Sequence, residues 1–409
     1  MDKPHEHHGE VHFGLDVPFS LVIHLVLVYL ALGLLVPYAF ACKQAGQQSR
    51  HYAVMVTASA MAVIGAIAGH FVGNDHYSPW YVDFAVVYTL GCTAISTLLL
   101  IYVPRGVLGH MKDALNVAHI CLLTLEPLIS WVFCGLGFIS LIGFCKEDHL
   151  GQCLAHGIMG TAFITYGIVL LCMLYIGEGF LRRRNRSQEF YDSSIITLWG
   201  IVNTFTEHRW GHPWNHGDVQ HTSMGIVWWA AGMLGVYLSW NYVTNEPRRH
   251  HIPAVIMLIT GYSMATHVQN TMVSTNIHFM FGVFLMAAGV SRIIEVSFVL
   301  HDAAHTGVAK SFQYMTPLLL VQSGCMFMSA TEEAMHFLDH QGVMAAPYVL
   351  FVTSVASIIL LMALFNIESY KVMSKPLKEL YDSLSRDDPE IELHRFADDA
   401  QEFEIGDEL

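Results

Sequence analysis

Charge is what this sequence has least of. Lysine, arginine, aspartate and glutamate make up only 13% of 409 residues, while 54% are hydrophobic, about half the charged fraction of an ordinary soluble domain, so a soluble globular protein is excluded. Basic residues are the scarcer sign, 20 against 34 acids for a formal net charge of −14, which argues against nucleic acid as a partner. Cysteine is sparse at eight. Most of the cysteines sit inside apolar runs, where they behave as small hydrophobes. A basic, apolar, small-residue leader is missing from the opening MDKPHEHHGEVHFGLD, so the first apolar run acts as its own signal or an upstream signal has been removed.

What the chain does have is long apolar runs. Stretches able to cross a hydrocarbon core of roughly 30 Å fall at about 17–42, 52–73, 81–104, 114–144, 154–181, 219–243, 252–271, 276–300, 311–338 and 344–370. An eleventh, Ser193 to His208, is short, and charge decides it. RRRNR at 182–186 and RRHH at 248–251 are both basic and both prefer the cytosol. The chain must then cross an even number of times between them, so 193–208 crosses or re-enters beside 219–243. The expected fold is therefore an all-α, polytopic transmembrane bundle of about eleven spans, N-terminus outside and C-terminus cytosolic. That topology puts sixteen of the twenty basic residues on the cytosolic side.

Four segments are expected: a His-rich outer tail (1–16), an N-terminal helical domain (17–145), a C-terminal helical domain (146–372) and an acidic cytosolic tail (373–409). The last is read as solvated and partly disordered. The lipid bilayer is the implied partner, at the plasma membrane or an endomembrane rather than a mitochondrial one, and the oligomeric state stays open. Cys145 and Cys153 flank KEDHLGQ on the outer, oxidising face, and a disulfide is expected to close that loop.

Sorted by this topology, the 25 histidines concentrate outside. A pattern recurs among them: His156 opens HGIMG, His221 opens HTSMG and His278 opens HFMFG. On a helix, positions i and i+4 share a face, so glycine lets a neighbouring helix or a flat cofactor approach beside each imidazole. The three histidines are expected to converge. A fourth outer group, His208, His212 and His216, has helical spacing, but Pro213, Gly211 and Gly217 argue for a loop. Glu207 and Asp218 stand beside it as orienting partners or oxygen ligands. Farther on, Glu333 and His336 belong to a single E-x-x-H array. His267 sits opposite His278 across a short turn, placed to share an ion with it. Among ionisable groups at membrane depth, Arg292 and Glu295 are one turn apart and expected to satisfy each other.

Two resemblances follow from these residues. HLVLVYLALGLLVPYAFACK, His24 to Lys43, resembles a helix of the cytochrome b-561 family, which implies haem ligands at His24 and at His51 or His119. TEHRWGHPWNHGDVQHTSMGIVWW resembles a block of the fungal YTP-type integral membrane proteins, implying a multi-pass protein with a distant likeness to electron-transport membrane proteins. The expected cofactor is a transition metal (iron, copper or zinc) or haem b on the outer histidines. The expected role is redox or metal handling, including transmembrane electron transfer; an enzyme of this kind is a membrane oxidoreductase. The rival readings are a metal-ion or proton transporter with His267, His278 and Glu333 along its path, and a structural membrane protein whose histidines are interfacial.

Overall fold

The computed structural model describes residues 18–72, 80–102, scattered positions between 115 and 145, 149–208, 211–267, 269–300 and 309–387. The tail 1–16, most of the run 114–144 and the residues from 388 onward lie outside the described residues.

Contacts divide the chain into two units. The first is built from Asp16–Ile142 and Leu364–Leu409. Its helices are α1 (Phe19–Gln44), α2 (Gln48–His70) and α3 (Trp80–Tyr102). α1 carries a π-turn at Leu30–Leu35, one residue short of Pro37. Proline has no N–H to return to the preceding turn, and the wider turn absorbs that missing bond. Val28, Leu32, Val36, Ala58 and Ala66 form the buried seam between α1 and α2.

The second unit holds Gly143–Ala363. It contains α4 (Leu150–Cys172), α5 (Glu178–Arg184), α6 (Gln188–Thr206), α7 (His216–Leu238), α8 (Ile252–Ala265), α9 (Met272–Ile294), α10 (Met315–Met328), α11 (Glu332–His340) and the first part of α12 (Ala345–Asp387). Five helical stretches are long and apolar enough to cross a membrane by length and composition: Phe19–Gln44, Gln48–His70, Leu150–Tyr175, Met272–Val299 and Ala345–Lys375. The chain is a helical, multi-pass membrane protein.

Small residues set the packing. Three helix pairs approach backbone to backbone at paired glycines: Gly160 with Gly324 (α4 and α10), Gly200 with Gly225 (α6 and α7), and Gly261 with Gly282 (α8 and α9). A Cβ built on Gly160 would lie 2.8 Å from the Gly324 carbonyl, and one on Gly261 would lie 2.7 Å from the Gly282 carbonyl. Lipid tails are as apolar as leucine, so helices in a bilayer gain from this close approach rather than from excluding water. Gly160, Gly225 and Gly282 are the glycines of the three His-x-x-x-Gly copies, and what each admits is a neighbouring helix.

Three sequence expectations change. The run 311–338 is two helices: α10 ends at Met328, and Thr331 starts α11 by accepting the Ala334 N–H. A hydropathy run does not register such a cap. The run 252–271 is helical only to Ala265. The helix expected to stop near 370 continues to Asp387, so the acidic tail starts as helix. Among the described residues there is also one short antiparallel ladder, Trp240 with Pro247 and Asn241 with Glu246, in a chain otherwise expected to be all-α.

Cys145 and Cys153 are disulfide-bonded, Cα to Cα 5.6 Å, the pairing expected around KEDHLGQ. Closing a short loop of this size constrains the unfolded chain by about 2–3 kcal/mol. The double Cys145→Ser, Cys153→Ser variant is therefore expected to lower thermal stability measurably without loss of helical circular dichroism. An unchanged melting temperature, alone or with reductant, would show that the bond constrains nothing.

Candidate functional site

At one end of the second unit, four imidazoles come from four elements. Gly200 and Gly225 draw α6 and α7 together, and the Asn203 amide donates to the His221 carbonyl at 2.9 Å. That fixes the second turn of α7, where His221 sits. α7 itself starts at His216, with the Asn215 side chain accepting the Asp218 N–H at 2.8 Å. His156 occupies the second turn of α4, buried and stacked on Phe327 with ring centres 4.7 Å apart. His278, also buried, meets it edge-on at 6.1 Å. His221 and His267 form a second pair at 5.5 Å. His278 lies within electrostatic reach of His156, His267 and His221, and His156 within reach of His221 and Glu207.

The hydrogen bonds assign the tautomers. His156 Nδ1 contacts the Gln152 carbonyl at 2.9 Å and His278 Nδ1 contacts the Ser274 carbonyl at 2.9 Å. A carbonyl only accepts, so both Nδ1 atoms carry the proton. His221 Nδ1 faces the Glu207 carboxylate at 3.2 Å. His267 Nδ1 faces the Gln220 side-chain oxygen, whose orientation is fixed because the Gln220 NH2 donates to the Ser263 carbonyl at 2.8 Å. All four rings thus spend their Nδ1–H on an oxygen and keep the Nε2 lone pair. On His156 that Nε2 is buried with no hydrogen-bond partner. Burial, and then the nearby His221, hold the His267 imidazolium below its usual range, so this ring stays neutral.

The remaining expected site residues stand elsewhere. His208 lies outside the helices, as the loop reading expects, and is buried there, stacked on Trp214 at 3.9 Å with Nδ1 donating to Asp218 at 3.1 Å. His212 and His216 are exposed. Glu333 accepts the backbone N–H of Cys145 at 2.6 Å, and His336 pairs with Glu332 at 3.7 Å on an exposed surface. In the first unit, His24 Nδ1 bonds the Gly65 carbonyl at 2.8 Å, and His51 and His119 bond each other, Nε2 to Nε2, at 3.0 Å. Among the described residues no three His, Cys, Asp or Glu side chains already converge on one metal-binding point. Sequence reasoning missed Gln220, whose only signal is its place immediately before His221 on a face turned toward α8.

The family model for the C-terminal part of YTP1-like proteins matches residues 129–371, which takes in all four imidazoles. The chain belongs to the YTP1-like family. It is 42% identical over 260 residues to Protein YTP1 of Saccharomyces cerevisiae, covering 63% of this chain and 56% of that protein. An uncharacterized membrane protein of Schizosaccharomyces pombe is 25% identical over 256 residues, covering 50% of each chain. A second uncharacterized membrane protein of S. cerevisiae is 26% identical over 312 residues, covering 62% of this chain and 48% of its own length. The chain thus spans about half the length of these relatives. No solved structure matches it.

Proposed function

We propose that this YTP1-like membrane protein binds a transition-metal ion, iron, copper or zinc, through His156, His221, His267 and His278, and handles the metal or its electrons at the extracytosolic face of an eleven-span chain. The observation that carries the reading is the shared tautomer: every ring gives its Nδ1–H to an oxygen acceptor and keeps Nε2. Metal-ligating histidines are oriented in this way almost without exception, because the second hydrogen bond fixes the ring and raises the basicity of the ligating nitrogen. The ring separations suit a shared ion, since a metal between two imidazoles lies about 3 Å from each ring centre at metal–nitrogen distances near 2.0–2.1 Å. His221 and His267, within electrostatic reach of His278, are the other two ligands of the proposed set.

Cobalt(II) titration of the purified full-length chain reports this directly, because a tetrahedral nitrogen site gives intense visible bands. Saturation near one ion per chain, reversed by zinc, is the expected outcome, and spectra no different from free cobalt would contradict it. The face is tested separately. A reporter after Arg186 is expected in the cytosol and one beside His216 outside it, and finding both on one side would remove the extracytosolic assignment.

A further inference from the structure

At the other end of α6 lies a buried polar network that the metal site does not use. α6 begins with SQEFYDS, and Glu189 and Asp192 of its first turns are 1% and 5% exposed. Arg292, near the end of α9, donates to Glu295 at 2.9 Å and to Glu189 at 3.2 Å. Glu295 also accepts from Gln313, at 3.3 Å, and Arg249 reaches the same Glu189 oxygen at 3.5 Å from a half-exposed position. Tyr166 of α4 directs its hydroxyl at Asp192. His250, within electrostatic reach of Glu189, is neutral: its Nδ1 accepts the Ile252 N–H at 3.2 Å, its Nε2 bonds the Ser239 hydroxyl at 2.9 Å, and burial holds it below its usual range.

The charges in this network do not balance. Three carboxylates (Glu189, Asp192, Glu295) face two guanidiniums (Arg249, Arg292), and both guanidiniums are taken by the two glutamates. Asp192 lies within electrostatic reach of Arg292 but makes no ion pair among the described residues, and its Oδ2 is buried without a hydrogen-bond partner. Gln188 Nε2 and the Ser187 and Ser193 hydroxyls, on neighbouring side chains more than nine-tenths buried, are also without partners. An unpaired carboxylate in low dielectric costs several kcal/mol, and one added proton removes that cost.

We propose that Asp192 is a proton-binding site, a buried carboxylic acid that takes up and releases one proton while the Glu189–Arg292–Glu295 ion pairs stay charged. Uptake forms one O–H bond on the Asp192 carboxyl and brings the network to neutrality; release breaks that bond and returns the proton to water. The half-exposed Arg249, in contact with Glu189, marks the side on which solvent reaches the network. The π-turn at Glu295–Val299 begins at Glu295 itself, and such turns are frequent at functional sites. The inference does not rest on the metal reading, and His278→Ala is expected to leave it untouched.

Infrared spectroscopy of the purified full-length chain in lipid nanodiscs at neutral pH tests it. A carbonyl stretch of a protonated carboxylic acid is expected, lowered in D2O, moved by 13C-labelled aspartate and absent in Asp192→Asn. Asparagine replaces a neutral acid with a neutral isostere, so that variant is expected to melt within a few degrees of the parent. The isotope shift gives the answer in the unmutated chain should the variant fail to fold. Absence of the band, or its persistence in Asp192→Asn, overturns the proposal. So does a sodium-dependent rise in melting temperature without any acid band, which would make the network a cation site.

Discussion

His278→Ala is expected to abolish cobalt and zinc binding in the purified protein, and His156→Ala to do the same. The two rings are buried against each other with both Nδ1 atoms committed to their own helices, so neither has a substitute that reaches the same point without unwinding a turn. Glu207→Gln keeps the ring of His221 in place but weakens its orienting bond, and is expected to cost about 10- to 100-fold in affinity, the usual range for a partner one step removed from a metal. His216→Ala, at an exposed position on the first residue of α7, is expected to leave stoichiometry unchanged. Burial, and then the nearby His221, hold His267 below the usual imidazole range, so this ring is expected to stay a neutral ligand as pH falls from neutrality. A His278→Ala protein that binds one ion as tightly as the parent would break the assignment.

Arg292→Met is expected to be the most destabilising single substitution in the second unit. Methionine fills much of the volume but leaves Glu295 and Glu189, 3% and 1% exposed, facing each other without the guanidinium between them. Removing one partner of a buried ion pair costs about 3–5 kcal/mol because the charge left behind is uncompensated. Thermal unfolding in detergent and amide exchange along α6 and α9 would register it. A melting temperature within a degree or two of the parent would show that water already reaches this network. The sequence alone pairs Arg292 with Glu295 and stops there, because Glu189 lies 103 residues away, on the helix whose membrane character is hardest to see.

The same limit runs through the rest of the molecule. His-x-x-x-Gly is legible because i and i+4 share a helix face, and the sequence points to His156, His221 and His278 on that ground. The residues those glycines pack against, Gly324, Gly200 and Gly261, carry no mark that pairs them. Apolar length shows the longest helices, yet the break at Ser329 to Thr331 hides inside an apolar run because a threonine cap adds little polarity. The loop reading of His208 rests on Pro213 and the flanking glycines. What buries His208 is its stacking on Trp214 and its bond to Asp218, a contact made only after the chain turns back into α7. Asp192 escapes for a different reason. In the first turns of a helix an acid is ordinary, complementing the helix dipole, and only the fold shows that it is buried beside two glutamates that already take the Arg292 guanidinium.

X-ray absorption at the zinc edge of the metal-loaded, full-length protein reads the ligand shell itself. Coordination by His156, His221, His267 and His278 gives a first shell of three or four imidazole nitrogens at about 2.0–2.1 Å, with the outer-shell scattering typical of imidazole and a loss of signal in His278→Ala. A shell of oxygens or sulfurs, or an imidazole shell unchanged in His278→Ala, would contradict it.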